Sequence, residues 1–297
     1  MPDGSLGQVL CYLTPELVDA VRALPPQTQN RLEELRMRLG FEPTIVIDGV
    51  EAPLSLQRPL TVGRRELDFL LNAASGYSAY AADDTLRHGF LPLPGGHRLG
   101  LCGTAVLQKG EVSTIHTISS ANLRIARAWF GTADALFQSL LEEPESTLIV
   151  GPPGSGKTTV LRDLARQLSD KGNMRVGVAD SRGELAACHD GAPQLYVGRR
   201  TDVVSLMPKD WAVELLVRVM NPHWVALDEI TAAEDVEAVV RASYCGVRLL
   251  ATAHAFSPED LRRRPVYRAL LDAGVFQRLA VLDRNKQLTM ERMDCLC

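Results

Sequence analysis

The segment Thr147–Ala165, TLIVGPPGSGKTTVLRDLA, constrains this chain more than any other, because an apolar run, a glycine-rich turn and an amphipathic helix follow one another without a gap. Between the predicted strand and helix stands the complete spacing G-x-x-x-x-G-K-T. It runs from Gly151 through Pro152, Pro153, Gly154, Ser155 and Gly156 to Lys157, Thr158 and Thr159. Without Cβ atoms at Gly151, Gly154 and Gly156, the loop can curl and aim successive backbone N–H groups at phosphate oxygens, at the positive end of a helix dipole. Lys157 is expected to reach the β- and γ-phosphates of ATP, and Thr158 to ligate Mg2+. Val160, Leu161, Leu164 and Leu168 recur on one helical face, which places Arg162, Asp163 and Arg166 largely away from it.

Nucleotide binding becomes hydrolysis only with a metal-side acid and a group that orients water. Trp224–Leu227 is a short apolar run that ends in Asp228 and Glu229, so two carboxylates are expected at the C-terminal edge of a strand, where open α/β sheets bind ligands. Asp228 fits the Mg2+ acid, and Glu229 the residue that polarises the attacking water. A strand over Val247–Ala251 leads to His254, suited to sensing the γ-phosphate by a hydrogen bond. A strand over Arg175–Ala179 ends at Asp180 and is followed by Glu184, a second carboxylate for the water. Arg199, Arg200 and Arg218 add guanidinium groups, whose planar, permanently charged fork matches phosphoryl oxygens.

With 297 residues the chain is long enough for two domains. A hydrophobic content of 46% and a charged content of 23% are ordinary for a globular enzyme. The net charge of −4 and an aromatic content of 5% argue against nucleic acid as a partner. Six cysteines lack C-x-x-C pairing and read as reduced thiols of a cytoplasmic protein, with Cys295 and Cys297 in a frayed tail. The opening residues lack a basic leader, and no apolar run approaches a membrane span of about 20 residues. Membrane association is therefore expected only through partners.

Leu32, Leu35, Met37 and Leu39 suggest a helix ending at Gly40, before a strand over Thr44–Ile47. Arg65–Ala74 reads as a further helix, and residues 95–103 and 112–118 as a hairpin-rich sheet. The expected organisation is a small α+β domain over residues 1–120, a connector over 121–135 holding Arg124 and Arg127, and an α/β P-loop domain over 136–297.

LEELRMRLG (32–40), GGHRLGLCGTAV (95–106), NLRIAR (122–127), GPPGSGKTTVLRDLAR (151–166), VGRRTDV (197–203), DEI (228–230), ATAHA (251–255) and LRRRPV (261–266) together give a resemblance over nearly the whole length. The chain resembles the stage III sporulation protein AA family of endospore-forming bacteria, relatives of the hexameric ATPases of type II and type IV secretion. The resemblance implies a RecA-like parallel sheet, an N-terminal domain that swings over the nucleotide, and a homo-oligomeric, hexameric ring. It implies docking on other stage III sporulation membrane proteins, at the mother-cell side of the channel between mother cell and forespore. It also implies that Arg124 and Arg127 close onto the nucleotide from the N-terminal domain or a neighbouring subunit.

Two departures stand out. The family's Asp-Glu-Arg-Ser-Glu is here Asp-Ser-Arg-Gly-Glu from Asp180, which removes one carboxylate and leaves catalysis to Glu184 and Glu229. The family's Gly-Pro-Arg-Thr-Asp is here Gly-Arg-Arg-Thr-Asp, which leaves both Arg199 and Arg200 open for the arginine role, with alignment favouring Arg200. Two other readings stay open: a nucleic-acid-binding RecA-like ATPase, and a nucleotide-gated scaffold with little turnover. ATPase rates with and without single-stranded DNA separate all three.

Overall fold

The computed structural model describes residues 4–54, 59–76, 89–108, 111–127 and 129–293. The chain divides into two compact units, Met1–Arg127 and Ala128–Cys297.

The first unit is built on six antiparallel strands: β1 Leu32–Arg38, β2 Thr44–Ile47, β3 Val50–Pro53, β4 Phe90–Pro92, β5 Arg98–Gln108 and β6 Glu111–Arg124. They lie in the order β3-β2-β1-β6-β5-β4. Apolar residues of the helices Pro15–Ala23 and Arg64–Ala74, among them Leu17, Val21, Leu67 and Leu70, form one core with Leu35, Met37, Leu99 and Leu123 of the sheet. The helix expected over Leu32–Gly40 is instead strand β1. Its pairing with β2 slips by one residue between Leu32 and Glu34. This bulge restores phase, so Leu32, Leu35 and Met37 are all buried despite the odd spacing of the first two. Of the expected connector, Ala121–Arg124 belongs to β6 and so to the first unit's sheet.

The second unit holds β7 Thr147–Gly151, β8 Val176–Asp180, β9 Thr201–Ser205, β10 Trp224–Leu227, β11 Arg248–His254, β12 Arg278–Leu282 and β13 Leu288–Arg292. Their order is β13-β12-β7-β11-β10-β8-β9, parallel except for the β12–β13 hairpin. Strand residues alternate between the faces: Val225 and Leu227 enter one core, Trp224 and Ala226 the other. The helices Asp134–Glu142 and Lys157–Asp170 cover one face, and Lys209–Leu215, Ala233–Tyr244 and Pro265–Asp272 cover the other. Both faces are thus closed by helices, as a parallel sheet requires.

Candidate active site

The parallel register decides which residues meet. His254 pairs with Gly151, and Leu227 lies level with both Ala179 and Ala251. The residues that follow, Asp228, Asp180 and Thr252, therefore emerge at one height along the C-terminal edge of four neighbouring strands, beside the P-loop.

Gly154 (φ +76°) and Gly156 (φ +100°) supply the left-handed backbone that turns the loop into the helix Lys157–Asp170. The first amides of that helix have no intrahelical partner, which makes its start an anion site. Lys157 is buried, and its ammonium donates to the carbonyls of Gly151 (2.9 Å) and Pro152 (2.9 Å) and contacts His254 Nδ1 at 3.0 Å. Burial pushes its pKa down, against the pull of Asp228 and Glu229. An ammonium has no lone pair, so His254 Nδ1 is the acceptor and Nε2 carries the proton. Nε2 faces Glu229 Oε1 at 3.3 Å, and the other oxygen of Glu229, Oε2, is ion-paired with Arg182 Nη1. One chain of contacts thus runs Lys157–His254–Glu229–Arg182.

Thr158 Oγ1 donates to Asp228 Oδ2 at 3.0 Å, and Thr252 Oγ1 donates to Asp228 Oδ1. Burial raises the Asp228 pKa; the two threonine bonds oppose this, while Glu184 and Asp180 reinforce it. A divalent cation would relieve that concentration of negative charge. Hydroxyl and carboxylate oxygens are the donors Mg2+ takes, with phosphate oxygens and water completing its shell. Among the described residues no larger cluster of His, Cys, Asp and Glu competes as a metal site.

Glu229 has φ +49°, a conformation that few non-glycine residues adopt and that clusters at functional sites. It is held there by its N–H, which donates to Thr252 Oγ1 at 2.7 Å, and by its carbonyl, which accepts from the buried Lys209 ammonium. Lys209 is in turn paired with Asp235 at 3.1 Å.

Asp180, 1% exposed, accepts the N–H groups of Glu184 (2.8 Å), Leu185 (3.1 Å) and Ala186 (2.9 Å). It therefore shapes the loop, while Glu184 brings a second carboxylate close enough to act on the Asp228 pKa. Arg162 donates to the carbonyls of Glu184 and Leu185, both at 2.6 Å, and so joins the P-loop helix to the same loop.

Two sequence expectations need correction. Asp163 does not lie away from the core: it is 2% exposed and accepts from Ala133 N, Arg166 and Gln167. Hydrogen bonding to the segment before the helix Asp134–Glu142 is what allows a carboxylate on that face. The arginines of VGRRTDV do not converge on the P-loop of their own chain. Arg200 precedes β9 and donates through its N–H and guanidinium to Ser169, near the far end of the P-loop helix. That helix has 14 residues, so about 20 Å separates Arg200 from the loop. Arg199 is paired with Asp170 at the same end, and Arg218 with Glu214.

In the first unit, Arg124 contacts Glu34 at 3.4 Å and Arg127 donates to the Gln29 carbonyl at 2.6 Å. Cys295 and Cys297 lie outside the described residues. The roles of Arg182, Thr252, Lys209 and Arg162 went unassigned in the sequence. A signal existed for Thr252, a polar residue in the apolar run of β11, whereas the others depend on tertiary register.

Among the described residues no helix is long and apolar enough to cross a membrane. In structure, the chain is similar to the ATPase DotB of Legionella pneumophila, with a TM-score of 0.60 and 17% identity over 94% of this chain and 80% of that one. It is similar also to the pilus retraction motor PilT, with a TM-score of 0.59 and 17% identity over 90% and 76% of the two chains. At such identities these likenesses establish the fold, the RecA-like P-loop fold. In sequence, the chain is 35% identical to stage III sporulation protein AA of Bacillus subtilis (strain 168) over 286 residues, 95% of this chain and 92% of that protein. The family described as "Sporulation stage III, protein AA" matches residues 16–292, and the chain belongs to that family.

Proposed function

We propose that the chain is an ATP-hydrolysing motor of the sporulation channel, working as a ring at the mother-cell side of the forespore membrane. The observation that carries this reading is the bond from the P-loop hydroxyl of Thr158 to Asp228 beside Glu229. It joins the nucleotide loop and the acidic pair, 70 residues apart, in one site. The pilus retraction motor PilT, solved with bound ADP, is similar in fold, which supports a mechanical role.

Mg2+ held by Thr158 and Asp228 would neutralise the charge of the β- and γ-phosphates. Lys157 leaves the Gly151 and Pro152 carbonyls for phosphate oxygens, and His254, freed from the ammonium, turns toward the γ-phosphate. Glu229 orients the attacking water through Oε1 and takes its proton, and Glu184 supports the same water from the neighbouring loop. Arg124 and Arg127 close onto the nucleotide from the first unit or from another subunit, where a guanidinium in trans is worth 10³-fold or more, on the order of other arginine fingers. Arg200 is too distant to serve its own chain's nucleotide, so any phosphate contact it makes is to a neighbouring subunit's nucleotide. Domain closure on ATP and opening after hydrolysis supply the stroke.

The test is phosphate release by the full chain with Mg·ATP, alone and with single-stranded DNA, together with its mass by light scattering. Turnover indifferent to DNA, in a nucleotide-stabilised oligomer, is expected. Arg124→Ala/Arg127→Ala protein mixed with Lys157→Ala protein should regain part of the activity, because each supplies what the other lacks. Full activity from a strictly monomeric species would overturn the ring. Tight binding without turnover would instead identify a nucleotide-gated scaffold.

A further inference from the structure

We infer that Arg182 is a positioning residue that holds the Glu229 carboxylate in register for water while ATP displaces the other contacts of that carboxylate. The inference rests on Glu229 being the water-orienting residue.

The placement of Arg182 is built from below. Both oxygens of the buried Asp180 carboxylate are engaged by backbone N–H groups of residues 184–186. The Asp180 carbonyl accepts from Gly183 N at 3.2 Å and from Leu206 N at 3.0 Å. Gly183, at φ +65°, closes the turn. The short arc Ser181–Arg182–Gly183 is thereby fixed at the end of β8, next to β10, from which Glu229 emerges.

Glu229 is fixed just as firmly through its backbone, and its two carboxylate oxygens face Arg182 and His254. These two contacts differ in durability. His254 keeps its orientation because Lys157 occupies Nδ1, and Lys157 is the group that phosphate attracts most directly. Binding of ATP therefore loosens the contact at Oε1. The contact at Oε2 is made by Arg182 and does not run through the Lys157–His254 pair.

Arg182 also answers an electrostatic problem. Asp180, Glu184, Asp228 and Glu229 crowd this edge, and a triphosphate adds several more negative charges. Repulsion would drive the Glu229 carboxylate outward. Lys157 is drawn to phosphate and Arg162 is tied to the carbonyls of Glu184 and Leu185. Among the described residues, Arg182 is the guanidinium bonded to Glu229. Its side chain is 53% exposed against 19% for Glu229, so the pair adds little to folding stability and its loss should leave the fold intact.

Steady-state turnover of the full chain and of Glu229→Gln is measured first. Absence of wild-type turnover would defeat the hydrolysis reading and the Arg182 assignment with it, whereas with wild-type turnover present the variants alone decide the assignment. Arg182→Ala should lower kcat about 10- to 100-fold, the range for a mispositioned catalytic group. Its affinity for a fluorescent ADP analogue and its melting temperature should match the wild type. Arg182→Lys should recover only part of the loss, because a point charge lacks the guanidinium fork. Millimolar guanidinium, but not sodium, should raise the turnover of Arg182→Ala. In the double variant with Glu229→Gln the losses should not multiply, as expected of residues acting as a unit. Wild-type kcat in Arg182→Ala, multiplying losses in the double variant, or parallel loss of nucleotide affinity and melting temperature would each overturn the assignment.

Discussion

The two edges of the seven-stranded sheet place charge in opposite ways. At the C-terminal edge, carboxylates and cations interlock around the P-loop, among them Asp228, Glu229, Lys157, Arg182 and Lys209. At the N-terminal edge, Arg200, Arg175, His223 and Arg248 stand at the starts of the adjacent strands β9, β8, β10 and β11, joined through backbone bonds. Four strands at the usual spacing make this row about 14 Å long. Its side chains rest on neutral groups: Arg175 on the Asn221 carbonyl, Arg248 on the Pro144 carbonyl, Arg200 on Ser169. His223 has its pKa lowered by burial and by Arg175 and Arg248. A parallel sheet separates two electrostatic environments by the length of its strands, and the candidate chemistry resides only where the charges are coupled.

Removing Lys157 tests the coupled edge most severely. Lys157→Ala should abolish ATP binding or hydrolysis, read by phosphate release, because the loop amides alone cannot balance the β/γ charge. Unchanged turnover would refute the site. Glu229→Gln should retain ATP binding and hydrolyse it about 10²-fold more slowly. If Glu184→Gln abolishes turnover and Glu229→Gln does not, the two carboxylates have exchanged roles.

Asp228→Asn separates stability from function. A carboxyl group whose pKa is raised in the folded state binds its proton more tightly there than in the unfolded chain, so folding stability falls as pH rises through the interval between the two values. At neutral pH the nucleotide-free Asp228→Asn protein should therefore melt a few degrees higher, about 2–4 °C for each kcal/mol relieved. Its Mg2+-dependent turnover should collapse. In the wild type, Mg2+ binding should weaken on acidification at a higher pH than an ordinary aspartate would give. A lower melting temperature for Asp228→Asn would remove the argument that the metal relieves a buried charge.

The smallest effect is expected at the other edge. Arg175→Gln together with Arg248→Gln should leave binding of the fluorescent ADP analogue within about 2-fold, since screening leaves little interaction across the sheet. A larger loss would show that the two edges communicate.

What the sequence revealed follows physical range. The P-loop, Asp228, Glu229 and His254 were legible because apolar runs of period two or continuous burial, followed by glycine or acid, fix the ends of parallel strands. Strand β1 reads as a helix because a bulge disguises its period, and Asp163 reads as exposed because the hydrogen-bond partners that make its burial tolerable come from another segment. Arg200 follows a general rule: a residue just before a parallel strand lies at the edge away from the nucleotide. Arg182 and Lys209 meet Glu229 only through tertiary register, which no local pattern encodes.

Gly151, the first glycine of the loop, sits where a Cβ would collide with the Leu282 carbonyl at the end of β12 and lie 2.7 Å from Ser155 Oγ. Its identity is prescribed by a neighbouring strand as well as by phosphate. Gly154, by contrast, has open space around it and is prescribed by its φ of +76°. A descendant of this protein that lost its nucleotide would still have to keep Gly151 to seat the last hairpin, while Lys157 and Thr158 would be free to drift. In a degenerate relative, the surviving first glycine would be a relic of architecture, and only the lysine and threonine would record whether the chemistry was still under selection.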